Sequence, residues 1–268
     1  MPIIGRKPPA STARINRSHP IGGRIVRCIL HNTPVAMPVE LVTGKVLPWA
    51  TPASVSLVVG ADGNFAHEIT SDSLDQRIYM STGHNSFDNV WLRWIVTPSV
   101  VADLDMLYRS GATGSSGAYL YLGSSKVKSE AATSATSLST GTRYDILIIY
   151  NRAPNTNDLY INGELDTAGF SFGIASDAFT IWGDAFSQNI RGVVEMFQMG
   201  LGMLSPGQVR QMYLRPYAFL ETDDNYDSDV PTSPPPPTSK LFRPANYNGL
   251  GGGGPFFADP LAAFPEVR

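Results

Sequence analysis

Between residues 24 and 199 the chain is a succession of short apolar runs, rich in β-branched and aromatic residues, divided by Gly, Asn, Asp and Ser clusters. Several alternate apolar and polar positions, which places every second side chain on one face and marks a strand lying on a core. The runs are 24–30, 54–59, 76–81, 89–97, 103–109, 118–123, 143–151, 158–161, 179–182 and 193–199. Many short strands between turn signals predict an all-β jelly-roll sandwich and argue against βαβ units. In 89–97 the alternation fails: Val90, Trp91, Leu92, Trp94 and Ile95 are apolar and only Arg93 interrupts them. That pattern predicts a strand covered on both faces. Asn162-Gly163, set between Tyr160-Ile161 and Glu164-Leu165, predicts a two-residue type I′ hairpin.

One segment reads as a helix. Ser205 is a good N-cap, Pro206 suits the first helical position, and Gln208 completes a capping box. Val209, Met212 and Tyr213 then fall on one face, and Arg215-Pro216 ends the element because the residue before proline leaves the helical region. So short a helix needs sheets to dock on.

The two ends differ from this body. Residues 1–20 are a basic, proline-containing lead, and residues 1–27 hold six Lys/Arg and no acid. Residues 221–268 begin with the acidic stretch ETDDNYDSD, pass through Pro234 to Pro237 and Gly251 to Gly254, and end in PFFADPLAAFPEVR. The expected organisation is a basic N-terminal arm (1–20), a sandwich domain (21–220) and an acidic, Pro/Gly-rich C-terminal arm (221–268). Arg6, Lys7, Arg14 and Arg17 in the first arm, with Phe242, Tyr247, Phe256, Phe257 and Phe264 in the second, are the candidate partner contacts.

Composition narrows the classes. Of 268 residues, 43% are hydrophobic and only 16% charged, so a disordered polyelectrolyte and a long-helix protein are disfavoured. The net charge of −3 argues against non-specific nucleic-acid binding. Cys28 is the only cysteine, which excludes an intramolecular disulfide and a CxxC metal site. No run approaches the roughly 18 apolar residues of a membrane span, and the first ten residues lack a secretion signal's apolar stretch. The expectation is a protein made in a cytoplasm that stays soluble there or leaves by a route other than signal-directed export, with no membrane partner.

Three segments bring in a resemblance. GTRYDILIIYNRAPNTNDLYINGELD (141–166) and FTIWGDAFSQNIRGVVEMFQMGLGMLSPGQVRQMY (179–213) resemble the laminin-G/concanavalin-A-like lectin and glucanase sandwich, in its paired strands and its closing strand and helix. INRSHPIGGRIVRCILHN (15–32) is similar to the opening of bacteriophage virion proteins that carry this fold, and YLRPYAFL (213–220) extends the likeness. The resemblance departs at Gly141-Thr142-Arg143-Tyr144, where the family often has a tryptophan-histidine pair, and no calcium-ligand position carries over. It implies a concanavalin-A-like jelly roll with one short C-terminal helix. With the two unlike-charged ends and a body whose catalytic signals are weak, the expectation is a non-enzymatic structural protein of a tailed-phage virion, a multi-copy capsid decoration protein joined to other virion subunits and assembled in the host cytoplasm. The alternative is a tail or head-fibre adhesin that binds host-surface carbohydrate.

Catalytic signals are weak. Retaining glycosidases need two carboxylates about 5–5.5 Å apart, and no Glu-x-Asp-x-x-Glu occurs. Glu221-Thr222-Asp223 has part of that spacing, Glu195 stands alone in its strand, and Asp103 with Asp105 lacks a glutamate. Solvated strand faces are the plainer reading of all three. Asp223, Asn225, Asp227 and Asp229 alternate like calcium ligands, but Ser228 replaces the loop glycine and Pro234 the bidentate glutamate. His19, His31, His67 and His84 show no ligand spacing, and GATGSSG (111–117) lacks the lysine of a phosphate loop. No cofactor or metal is expected. Cys28 reads as a small buried hydrophobe. Trp91, Trp94 and Trp182, with Trp49, Tyr119 and Tyr121, are candidate sugar-stacking platforms if exposed, and core residues otherwise.

Overall fold

The computed structural model describes residues 13–33, 37–49, 55–60, 63–70, 78–81, 89–101, 105–110, 119–151, 156–173, 178–183 and 188–222. The first strands are β1 (Ala13–Ile15), β2 (Ile25–Leu30), β3 (Val39–Glu40), β4 (Lys45–Val46), β5 (Val55–Val59) and β6 (Phe65–Ile69). Then come β7 (Ile78–Ser81), β8 (Asn89–Pro98), β9 (Asp105–Ser110), β10 (Tyr119–Gly123), β11 (Lys126–Lys128) and β12 (Tyr144–Asn151). The chain closes with β13 (Thr156–Ile161), β14 (Glu164–Ala168), β15 (Ala178–Ile181), β16 (Gly192–Leu201), helix α1 (Pro206–Leu214) and β17 (Leu220–Thr222).

These strands make two antiparallel sheets and a ribbon. The larger sheet has the order β14-β13-β12-β8-β16-β2-β3-β4, with the β5–β6 hairpin also joined to β16. The smaller has the order β11-β10-β9-β15-β7, and β1 pairs with β17. Along β16 the neighbour changes: Gly192 to Val194 pair with β6, and Met196 to Gly200 pair with β2. Glu195 lies at the change, where the register with β8 also shifts between Val194 and Met196. A bulge of this kind bends the strand and lets one edge serve two partners.

The main core fills the space between the sheets. Leu92, Trp94, Val96, Ile146, Ile148 and Phe197 from the larger sheet share a cluster with Leu107, Leu120, Leu122 and Phe179 from the smaller. Tyr108 stacks on Phe179 at 5.4 Å, and Trp94 meets Phe197 at 5.6 Å. A second core covers the opposite face of the larger sheet, where Trp91, Ile95, Leu147, Ile149 and Met196 lie with Val209, Met212, Ile15, Tyr217 and Phe219. Trp91 to Val96 consequently have no exposed surface, as the failed alternation predicts.

Local chemistry follows the predicted signals at two places. Asn162 and Gly163 have φ of 55° and 78°, the left-handed pair of a type I′ turn. At the helix start, the Ser205 hydroxyl accepts the Gln208 N–H while Gln208 Oε1 accepts the Ser205 N–H, and Val209 and Met212 face inward. Two differences stand out. The run 179–182 ends as a strand at Ile181, and Trp182 turns into the left-handed region at φ 67°. Residues 13–20, read as part of an arm, include β1 and the turn after it, and Leu220–Thr222 pairs with β1. Arg6, Lys7, Asp103, His84, GATGSSG (111–117), the acidic alternation from Asp223 onward, and Phe242, Tyr247, Phe256, Phe257 and Phe264 lie outside the described residues.

Candidate functional site

The first described strand and the segment after α1 come together on the helix side of the larger sheet. Ala13 registers with Thr222 and Ile15 with Leu220, and the Asn16 N–H donates to the Phe219 carbonyl at 2.8 Å. The turn after β1 is held by its own side chains. Asn16 Oδ1 accepts the N–H groups of Ser18 and His19, and His19 Nδ1 accepts those of Ile21 and Gly22. Side-chain acceptors of this kind replace the ladder partners that a turn lacks. Gly22 is required by proximity: a Cβ there would stand 2.0 Å from the Asn16 carbonyl oxygen. Burial lowers the His19 pKa below its ordinary 6.5, favouring the neutral ring whose Nδ1 can accept. Arg14 is exposed, opposite Glu221, and Arg17 is anchored on the carbonyl of Ile25 at 2.7 Å. Ile15, Ile21, Ile25, Tyr217 and Phe219 bury together, so the strap is one apolar unit.

Beneath this strap runs a buried polar network. Arg93 reaches Asp145 through both carboxylate oxygens, Nε to Oδ1 at 2.8 Å and Nη2 to Oδ2 at 2.5 Å. Its Nη1 also donates to Gln198 Oε1 at 3.0 Å, and its Nη2 to the Met212 carbonyl at 2.7 Å. A cation under the last turn of α1 satisfies a carbonyl that the helix leaves open. Beside it, Arg143 binds Glu195 at two points, and Tyr217 Oη donates to Glu195 Oε2 at 3.3 Å. This corrects the reading of Glu195 as a solvated strand position, because its side chain has no exposed surface. Asp105 is likewise buried, with Oδ1 accepting from Nε and Nη2 of Arg191. A glycosidase dyad needs an accessible pair of carboxylates. These carboxylates are instead enclosed by guanidinium groups and brace the fold.

The tryptophan platforms are also corrected. Trp91, Trp94 and Trp182 have no exposed surface, and Trp49 is buried with them. Trp94, Trp182 and Trp49 belong to the core between the sheets and Trp91 to the core under α1, so none offers a face to a sugar ring. Trp91 lies directly over Gly200, where a Cβ would stand 2.2 Å from the indole. Tyr119 and Tyr121 are half-buried, and the Arg109 guanidinium lies 5.1 Å from the Tyr119 ring centre. Cys28 is fully buried with its thiol pushed up to about 12 by burial, which makes it inert.

Sequence spacing missed one pairing. His31 and His67 approach Nδ1 to Nδ1 at 2.8 Å, both buried, with Trp49 and Trp182 packed around them. They meet because β2 and β6 take consecutive stretches of the same β16 edge, and the His31 N–H donates to the Glu195 carbonyl at the change-over. A hydrogen bond between two Nδ1 atoms requires one ring to carry the proton there and the other to present a lone pair. Among the described residues no group of three His, Cys, Asp or Glu side chains is placed to hold a metal ion.

No family model matches the chain, and a comparison with curated proteins finds no match. Solved structures do match. A Trypanosoma rangeli sialidase in complex with sialic acid aligns with a TM-score of 0.55 and 14% identity, over 72% of this chain and 33% of the sialidase. The binding domain of Paraclostridial Mosquitocidal Protein 1 gives 0.51 and 13% identity, over 71% of this chain and 52% of that one. Domain 4 of the arabinanase AbnA from Geobacillus stearothermophilus, solved with arabinotriose, gives 0.47 and 15%, over 60% and 82%. The chain thus spans about a third of the sialidase and about half of the toxin domain. The likeness is one of fold, and the described chain is a concanavalin-A-like jelly-roll sandwich with one short C-terminal helix.

Proposed function

We propose that this chain is a non-enzymatic structural protein of a tailed-bacteriophage virion, a capsid decoration protein present in many copies and fastened to neighbouring subunits through its ends. The observation that carries this reading is the strap. The two segments that resemble virion proteins meet where Ile15 registers with Leu220 and Asn16 bonds Phe219, and the ladder runs on to Ala13 opposite Thr222. The chain therefore enters and leaves the sandwich at adjacent backbone positions. Arg6, Lys7 and exposed Arg14 on one side, and Phe242, Tyr247, Phe256, Phe257 and Phe264 on the other, are the residues proposed to contact neighbouring subunits. The non-enzymatic part of the proposal is supported by Glu195, Asp145 and Asp105, each buried against an arginine. Assembly takes place in the host cytoplasm.

The test is incorporation. A chain ending at residue 230 should melt cooperatively like the full chain yet be absent from purified particles. Normal incorporation of the shortened chain contradicts the fastening.

A second reading, an adhesin for host-surface carbohydrate, is supported by the fold shared with a toxin's binding domain and a sialidase. Specific retention of a saccharide on a glycan array, by a chain that does not enter capsids, would favour it.

A further inference from the structure

Arg17 and residues 23–27 line a shallow, open depression of about 450 Å³ that holds three arginines. Arg17, Arg24 and Arg27 supply the charge, while Val26, Val42 and Leu201 supply an apolar wall. None of the lining residues is acidic. Glu40, on the strand beside β2, does not act as counter-ion: it is 2% exposed, its Oε1 accepts the N–H groups of Cys28 and Val42, and its Oε2 that of Thr43.

The arginines are held by the fold rather than left loose. Arg17 Nη1 donates to the Ile25 carbonyl at 2.7 Å, Arg24 Nη1 to the Met203 carbonyl at 2.9 Å, and Arg27 Nη1 to the Val26 carbonyl at 3.1 Å. The Arg17 and Arg24 anchors each use one edge of a planar fork. For Arg17 and Arg24, Nε and Nη2 make no bond among the described residues. A guanidinium fixed in this way has lost rotamer freedom before any ligand arrives, and its fork matches the paired oxygens of a carboxylate, sulfate or phosphate.

We propose that the Arg17–Arg24–Arg27 depression is a binding site for an oxyanion-bearing saccharide, its carboxylate or sulfate on the guanidinium groups and its apolar ring face on Val26, Val42 and Leu201. Burial removes the four tryptophans as stacking platforms, and this site recognises charge. It stands on the geometry of the depression and not on the virion reading, so either can fail alone.

The experiment is a calorimetric titration of the full chain at low ionic strength with glucuronic acid, a sulfated disaccharide, inorganic phosphate and neutral lactose. At least one charged sugar should bind in the millimolar range or tighter, weaken as salt rises, and outcompete lactose. Arg24→Gln should weaken binding about tenfold with the melting temperature unchanged, because Arg24 is exposed and makes one anchoring bond. Val42→Glu, which sets a carboxylate in the wall, should abolish binding without touching an arginine. Whether the carboxylated or the sulfated sugar binds identifies the group recognised. Binding of phosphate with neither charged sugar overturns the saccharide assignment. Silence from every anion at about 10 mM, equal binding of lactose, or native binding by both variants overturns the site.

Discussion

Arg143 grips Glu195 from the edge of the neighbouring fork, Nε to Oε1 at 2.8 Å and Nη2 to Oε2 at 3.0 Å, on a carboxylate that solvent does not reach. Removing one partner of a buried pair leaves the other uncompensated. Glu195→Gln should therefore cost about 3 kcal/mol of stability, measured by urea denaturation. A catalytic glutamate would behave in the opposite way. Its amide would leave the melt unchanged and abolish release of reducing sugar.

The packing of Trp91 on Gly200 gives a second test. A methyl group added at Gly200 meets the indole at 2.2 Å, and the tryptophan is fully buried. Gly200→Ala should destabilise by about 1–3 kcal/mol, as overpacking does. Gly163→Ala should do so through a different cause, a left-handed φ of 78° together with a Cβ 2.7 Å from Tyr213. Thermal melts of the two single variants and the double variant should be close to additive if the two causes are independent.

Acid should loosen the strap before it unfolds the sandwich. His19 has its pKa lowered from 6.5 by burial, so the folded state disfavours its protonation. Its contribution is complete above 6.5 and is lost as pH falls below that value towards the folded pKa. Asp166 is lowered from 3.8: burial alone would raise it, but hydrogen bonds from Thr136 and Thr167, with the backbone of Ala135, outweigh burial. Its contribution is present above 3.8 and is lost at lower pH. Melting temperature against pH should show two separate losses. His19→Ala should remove the upper one and leave the lower.

Cys28 supplies a probe of unfolding. With the thiol buried and raised to about 12, a thiol reagent at neutral pH should label it only through opening of the larger sheet. Labelling should therefore accelerate with urea in step with unfolding. Rapid labelling of the native chain contradicts the burial described for β2.

Much of the fold was legible because its signals are local. The doubly apolar run around Arg93 announced a strand covered on two faces, Asn162-Gly163 announced its hairpin, and Ser205 to Gln208 announced the helix start. The missing pieces depend on distant partners. Ala13–Ile15 becomes a strand only because Leu220–Thr222 returns beside it, and His31 finds His67 only because β16 changes partners at Glu195. The turn Ser124-Ser125 was hidden for another reason: both residues adopt left-handed φ, 50° and 61°, without the asparagine or glycine that normally signals it. Stacking by Trp91, Trp94 and Trp182 failed as a reading because aromatic identity does not say which face a second layer covers.

Fastening by the ends would be visible in a reconstruction of intact phage particles assembled with this chain. The account predicts sandwich-shaped density on the capsid exterior, with connections to shell subunits that begin beside Ala13 and Thr222. Particles that lack this density, or that carry the sandwich on a tail or head fibre with no shell contact from its ends, would contradict it.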